Sequence, residues 1–392
     1  MDKIKLFMAG AAIIVCMVAS QAYAETGVTD DQVVVGMSTA LSGPASFLGT
    51  SFKTGVQSYF NTINDKGGVR GKKIKLIVYD DGYDPGKTVP NVEKLIKEDK
   101  VFCLLGNVGT PTSLAIMPIV SEQRIPLIAP FTGAESLRNP VSKYVINYRA
   151  SYNQEAEEFI KGMVDVLNYK RIGVFFQNDS YGKAVLKGVR LSLQKRGLEP
   201  VIAANYRRNT DDVSDPLNII MKERPEAVVM VGTYSACAKF IIEGRKKGFN
   251  PVYINVSFVG PDKLAELLGP DGERVVVTQV VPPLGSDSKK KYPGVTEYLN
   301  AVKKYFPDSK PNAVGLEGFL AARVFVEGLK RAEKNLTRES LISAVEGIKD
   351  LDIGAGNKIS FSAANHQGSQ KVYPTVIQKG RFQLVENWNI LK

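Results

Sequence analysis

Short apolar runs alternate with helix-spaced segments along most of this chain, and the alternation begins a second time near residue 150. In the first series, Gln32–Thr39, Lys72–Tyr79, Val101–Leu105, Ile125–Ala129 and Tyr144–Asn147 read as strands. Phe52, Val56, Tyr59, Phe60 and Ile63 recur at helical spacing within 49–64. Asp84-Pro85 offers a cap and a fixed first φ to the next helix. The second series runs as helix 153–167, strand 171–177, helix 183–196, strand 199–206, helix 212–223, strand 227–232 and helix 236–247, then strands 252–255 and 274–280. This is the spacing of βαβ units and predicts an α/β fold with two doubly wound, mainly parallel sheets. Helices near 288–305, 311–333 and 338–346 follow, then β-like stretches at 358–361, 372–378 and 382–388. No long flexible linker separates the series, so two lobes that hinge are expected.

At 392 residues, 44% hydrophobic and 23% charged, the chain can bury about two ordinary cores. Residues 1–24 are read separately. Lys3 and Lys5 precede the apolar segment Leu6–Ala19, and Ala22-Tyr23-Ala24 has the small-x-small form of a cleavage site. This is the pattern of a secretory signal peptide, cleaved near Ala24, and implies an exported mature protein. Cys16 follows Val15, where a lipoprotein signal carries a small residue, which favours a soluble protein over a lipid-anchored one. The net charge of +11 is spread over most helices, with only Lys289-Lys290-Lys291 as a tight run. That distribution suits a solvated basic surface and not a nucleic-acid partner. Cys103 and Cys237 sit among apolar residues and are expected as buried thiols in different domains.

Ligands of open parallel sheets lie beyond the carboxyl ends of the strands. In Val101–Ser113 a strand gives way to Gly106 and Gly109, then to Thr110, Pro111, Thr112 and Ser113, whose hydroxyls are expected to cap a helix. Loops of the same kind offer Ser42, Phe47 or Leu48, Val108–Thr110 and Phe131–Gly133 from the first series. The second supplies Tyr181, Tyr234 and Asn255–Phe258, with Tyr152 just past the crossover. Hydroxyls, backbone donors and tyrosine faces suit a small, partly apolar acid. Catalysis has little support. His366 is the single histidine, in a polar stretch (364–368) that reads as a surface turn. Nucleophile-elbow, P-loop and dinucleotide motifs are absent. Asp80-Asp81 and Asp211-Asp212 read as turn and cap residues. No catalytic residue, metal or cofactor is expected.

Leu41-Ser42-Gly43-Pro44, Asn64 to Gly71, Tyr79-Asp80-Asp81, Gly106 to Ser113, Ile128-Ala129-Pro130 and Ser180-Tyr181-Gly182 occur in this order. The set resembles the type I periplasmic solute-binding proteins of the leucine/isoleucine/valine-binding class, the receptor components of ABC importers. The resemblance implies two Rossmann-like lobes joined by three crossovers, 25–149 with 282–372 and 150–281 with 373–392. It implies that Val108, Gly109 and Thr110 hold a ligand carboxylate beside Phe131, Thr132 and Gly133. Leu48 would touch the apolar side, and Tyr181 and Tyr234 would close from the second lobe. It also implies a monomer that presents a small amino acid or related organic carboxylate to a membrane permease. Two departures stand out. The family's disulfide positions fall near Tyr83 and Gly109, so that bridge is absent. The acidic residue that pairs with a ligand ammonium is missing near Ser257–Phe258, which leaves Glu317 as candidate ammonium partner or points to an amine-free acid or amide. A sensor of the same fold signalling to a kinase is the alternative reading, and a secreted hydrolase using His366 a more distant one.

Overall fold

The computed structural model describes residues 25–333 and 335–392; the signal peptide expected over 1–24 lies outside them. The first sheet holds β1 (Gln32–Thr39), β2 (Lys73–Asp80), β3 (Cys103–Leu105), β4 (Leu127–Ile128) and β5 (Val145–Ile146). Their order is β2-β1-β3-β4-β5, all parallel. The second sheet holds β6 (Ile172–Gln177), β7 (Ile202–Tyr206), β8 (Ala227–Val231), β9 (Val252–Asn255) and β10 (Val276–Gln279). After a short antiparallel pair, β11 (Leu351–Asp352) and β12 (Lys358–Ile359), the chain adds β13 (Tyr373–Gln378) and β14 (Arg381–Leu384) to its edge. The order there is β14-β13-β10-β9-β8-β6-β7, with antiparallel pairing at β10–β13 and β13–β14. This is the α/β fold with mainly parallel sheets that the alternation predicted. The inner strands are apolar along their whole length because helices cover both faces.

The first lobe carries α1 (Ser46–Asp65), α2 (Pro85–Lys97), α3 (Thr110–Ala115) and α4 (Met117–Glu122). The second carries α5 (Tyr152–Ile160), α6 (Ser180–Gln194), α7 (Ser214–Lys222), α8 (Tyr234–Lys246) and α9 (Pro261–Leu268). Next come α10 (Ser286–Lys291), α11 (Pro293–Tyr305), α12 (Ala313–Arg331) and α13 (Arg338–Glu346). Of these, α11 and α12 pack on α1, so the chain returns to the first lobe. Three refinements have local causes. Asp84 caps α2 by accepting from Gly86 N, as its sequence asks. The helix expected over 153–167 widens to a π-helix at Lys161–Val166, where the Trp388 ring packs against Gly162. The single helix expected over 288–305 is two, because Pro293 starts a new one.

Cys103 in β3 and Cys237 in α8 are buried free thiols, pushed up in pKa by burial. The surface turn expected around His366 is instead a buried pin. Its backbone lies beside the end of β5, where Asn147 N donates to His366 O at 2.8 Å. The ring Nδ1 stands 2.9 Å from Val145 O, and Nε2 stands 2.9 Å from the Glu346 carboxylate. A polar run reads as exposed until the strand that covers it is known. Among the described residues no helix is long and apolar enough to cross a membrane.

Candidate functional site

In the first sheet β2 and β3 flank β1, so connections leave in opposite directions after β1 and β3. In the second, β7 and β8 flank β6 in the same way. Such reversals open a crevice at the carboxyl ends of the strands. One crevice is bordered by the loop to Thr110, the other by those to Tyr181 and Tyr234, and the two face each other across the interlobe cleft. Gly109 makes the first turn possible. Its φ is +101°, and a Cβ there would stand 2.1 Å from the Tyr83 ring.

The hydroxyls after Gly109 do not cap the helix as expected. Gly109 itself holds the N-cap position, without a side-chain cap. Thr112 Oγ1 donates back to Val108 O and, at 3.0 Å, to Gly109 O. Thr110 Oγ1 lies 2.7 Å from Thr132 Oγ1, which in turn donates to Tyr152 OH at 3.4 Å. Gly133 is needed beside them, since Tyr152 N donates to its carbonyl at 2.7 Å and the ring leaves no room for a Cβ. Val108 pairs with Phe131 as a parallel bridge, which ties the two loops together. A chain of hydroxyls therefore lines the first-lobe wall at full burial.

Phe258 fills the space opposite. Its ring centroid lies 4.6 Å from Tyr181, 5.4 Å from Phe131 and 5.9 Å from Tyr83. Tyr152 meets Tyr181 at 5.5 Å. These rings join the lobes and leave a cavity of only about 10 Å³ beside Phe131, Ser257 and Glu317. Burial raises the phenol of Tyr152 to about 12 and holds those of Tyr83 and Tyr181 well above their ordinary value, so all three stay neutral donors. Leu48 and Tyr234 meet at the cleft's rim around Gly260, and Phe47 N donates to Tyr234 OH at 3.3 Å. Ser42 stands outside this group, on an exposed turn where its N–H donates to Asp80 Oδ1 at 3.1 Å. Asp80 and Asp81 serve that turn and the neighbouring Tyr83 N–H, in line with the turn reading.

The floor of the cleft carries charges that sequence reading missed. Arg149 is 1% exposed and its guanidinium lies 5.2 Å from the Phe131 ring and 5.7 Å from Tyr152. Its Nη2 bonds Glu155 Oε1 at 3.0 Å and also Ser257 Oγ. Glu155 accepts further from Ser257 N at 2.8 Å, Ser257 Oγ at 2.8 Å and Thr278 Oγ1 at 2.6 Å. Glu317, on α12, faces Arg149 Nη1 at 3.5 Å. Burial pushes the Glu317 carboxyl up to about 7 against the pull of Arg149. Burial disfavours the Arg149 cation, but Glu317 and Glu155 outweigh it and hold its pKa up. Arg138, behind them, is lowered to about 10 by burial and donates to Thr132 O at 3.0 Å. Of its charged members only Glu317 was singled out in the sequence. Arg149 and Glu155 are joined by a crossover and a helix turn, a relation with no local motif.

A family model described as periplasmic binding protein matches residues 32–381. A possible leucine/isoleucine/valine-binding protein from Rhodopirellula baltica is 38% identical in structure-based comparison, with a TM-score of 0.87 over 92% of this chain and 98% of that one. The leucine-specific-binding protein of Salmonella typhimurium is 23% identical over 302 residues, 77% of this chain and 79% of its own length. A fatty acid ABC transporter substrate-binding protein from Thermomonospora curvata shares the fold at 24% identity and a TM-score of 0.84, covering 93% of each chain. Proteins of this family bind substrates and are not enzymes. With its two doubly wound sheets facing one cleft, the chain belongs to the periplasmic binding protein family, among the type I proteins of Leu/Ile/Val-binding kind.

Proposed function

We propose that this protein is exported to the periplasm and captures a small amino acid or related organic carboxylate between its lobes for the permease of an ABC importer. The observation that carries the reading is the convergence, at both topological switch points, of the Thr110–Thr132–Tyr152 hydroxyls and the Phe131–Phe258–Tyr181 rings. The hydroxyls suit a carboxylate and the rings an apolar body. Relatives named for leucine binding and for fatty acid transport support a carboxylate-bearing ligand of either kind. A ligand site usually needs about 300 Å³ or more, whereas the closed cleft keeps about 10 Å³. Entry therefore requires the lobes to part and Phe258 to yield its place. A ligand touching both walls then stabilises the closed form, because it binds that form better than the open one.

Thermal-shift screening of the mature protein tests this. The panel holds leucine, valine, phenylalanine, benzoates, short amides and dicarboxylates, with sugars as the contrasting class. A true ligand at 100 times its dissociation constant adds about 2.7 kcal/mol of stability and raises Tm visibly. If no carboxylate in the panel shifts Tm while an unrelated class such as sugars does, the reading is wrong.

A further inference from the structure

The charged floor of the cleft narrows the ligand class, on the reading that the cleft captures a carboxylate. We propose that the ligand carries, beside its carboxylate, a second oxygen acceptor, received by Arg149 Nη1 together with the carboxyl of Glu317. The ligand is then an amine-free monoanionic acid with a second oxygen function, such as a 2-oxo acid, and not an α-amino acid.

Three observations lead there. First, Glu155 is saturated: Arg149, Ser257 N, Ser257 Oγ and Thr278 all donate to it, so it has no room for an ammonium. Second, the Nε and Nη1 of Arg149 donate no hydrogen bond although the side chain is 1% exposed. A buried cation with unused donors calls for an acceptor. Third, Glu317 lines the residual cavity, and its ionic partner among the described residues is that same Nη1 at 3.5 Å. An ammonium hydrogen-bonded to the Glu317 oxygen that faces Arg149 would lie within roughly 6.5 Å of Nη1, where like charges repel inside a dry cleft. A ligand oxygen at the same place meets two donors instead.

The charges balance only if a proton moves. Arg138 and Arg149 offset Glu155 and an ionised Glu317, so an entering carboxylate leaves one negative charge in excess. Glu317 takes up one proton from solvent and removes it. The other groups that face Glu317 are Arg149 and Tyr148 on the crossover, Arg138 behind β4 and Glu155 on α5. Asp262 on α9 meets the start of α12, where it accepts from Ala313 N at 2.8 Å. Burial places Glu317 near 7 before ligand enters, and the added anion raises it. Binding is therefore strongest while Glu317 holds its proton. A monoanionic ligand loses about tenfold in affinity between pH 6 and pH 8.

Titration calorimetry on matched pairs reads both features: 4-methyl-2-oxopentanoate against leucine, and phenylpyruvate against phenylalanine. We expect one amine-free member to bind at least about tenfold tighter than its amine partner. Its heat should vary with the ionisation heat of the buffer by one proton taken up at pH 8, a signature read on the parent protein without any variant. Glu317→Gln, uncharged at every pH, should flatten the affinity profile between pH 6 and pH 8. Tighter binding of the amine-bearing members overturns this proposal and leaves the capture reading standing. Amine-free binding without proton uptake or pH dependence also overturns it. Silence of both pairs overturns this proposal and leaves the capture reading to the thermal-shift screen.

Discussion

Arg149→Ala lowers folding stability by about 3–5 kcal/mol, the cost of leaving a buried carboxylate without its cation. Glu155 is fully buried and would keep only the Ser257 and Thr278 donors. The guanidinium also fills space against Phe131 and Tyr152, so truncation opens a void at the cleft floor. Chemical denaturation with a two-state fit gives the number, and a loss below about 1 kcal/mol would mean the pair is not buried as described. Replacing all three members, Arg149→Met with Glu155→Leu and Glu317→Leu, should recover much of the loss, because an apolar cluster needs no desolvated charge. Ligand binding should not return with it. That split separates the cluster's part in recognition from its part in folding.

The second large effect is expected where α1 crosses α12. A Cβ at Gly55 would stand 1.8 Å from Gly315 O, and one at Gly318 would stand 2.2 Å from Phe52 O. The helices touch backbone to backbone, and no side chain can rotate aside to relieve the clash. Overpacking usually costs about 1–3 kcal/mol, and Gly55→Ala is expected at the upper end of that range. Because Glu317 sits on α12 between Gly315 and Gly318, a displaced α12 also moves the cleft wall, and ligand affinity falls along with stability. Gly285→Ala serves as control, its nearest contact being Ser288 Oγ at 3.9 Å. Equal midpoints for the two variants would show that the crossing has slack.

Much of the scaffold was legible because hydrophobic period and capping are local. The helix over 338–346 was placed to the residue, and Asp84-Pro85 started α2 as its chemistry requires. Boundaries failed where a distant contact decides them, as at Gly162 under Trp388 and at the polar run covered by β5. The cleft followed the same division. Thr110, Thr132, Phe131, Tyr152, Tyr181 and Phe258 converge because loops at the carboxyl ends of parallel strands must share one edge. Tyr83, Arg149 and Glu155 were missed. Tyr83 reaches the cleft through a left-handed turn at φ 61°, and Arg149 finds its partners across three separate elements. No spacing rule connects such residues before the lobes are assembled.

If two hinged lobes close on a solute held between them, the distance between the lobes must shorten when ligand binds. Spin labels at Lys87→Cys on the first lobe and Asp211→Cys on the second report that distance by pulsed electron resonance. Both positions are exposed, while Cys103 and Cys237 are buried and stay unlabelled. With a ligand found by thermal shift, the distribution should move from a longer, broader distance to a single shorter one as the site saturates. A saturating ligand that leaves the distribution unchanged would show that capture does not close the lobes, and the account would fail.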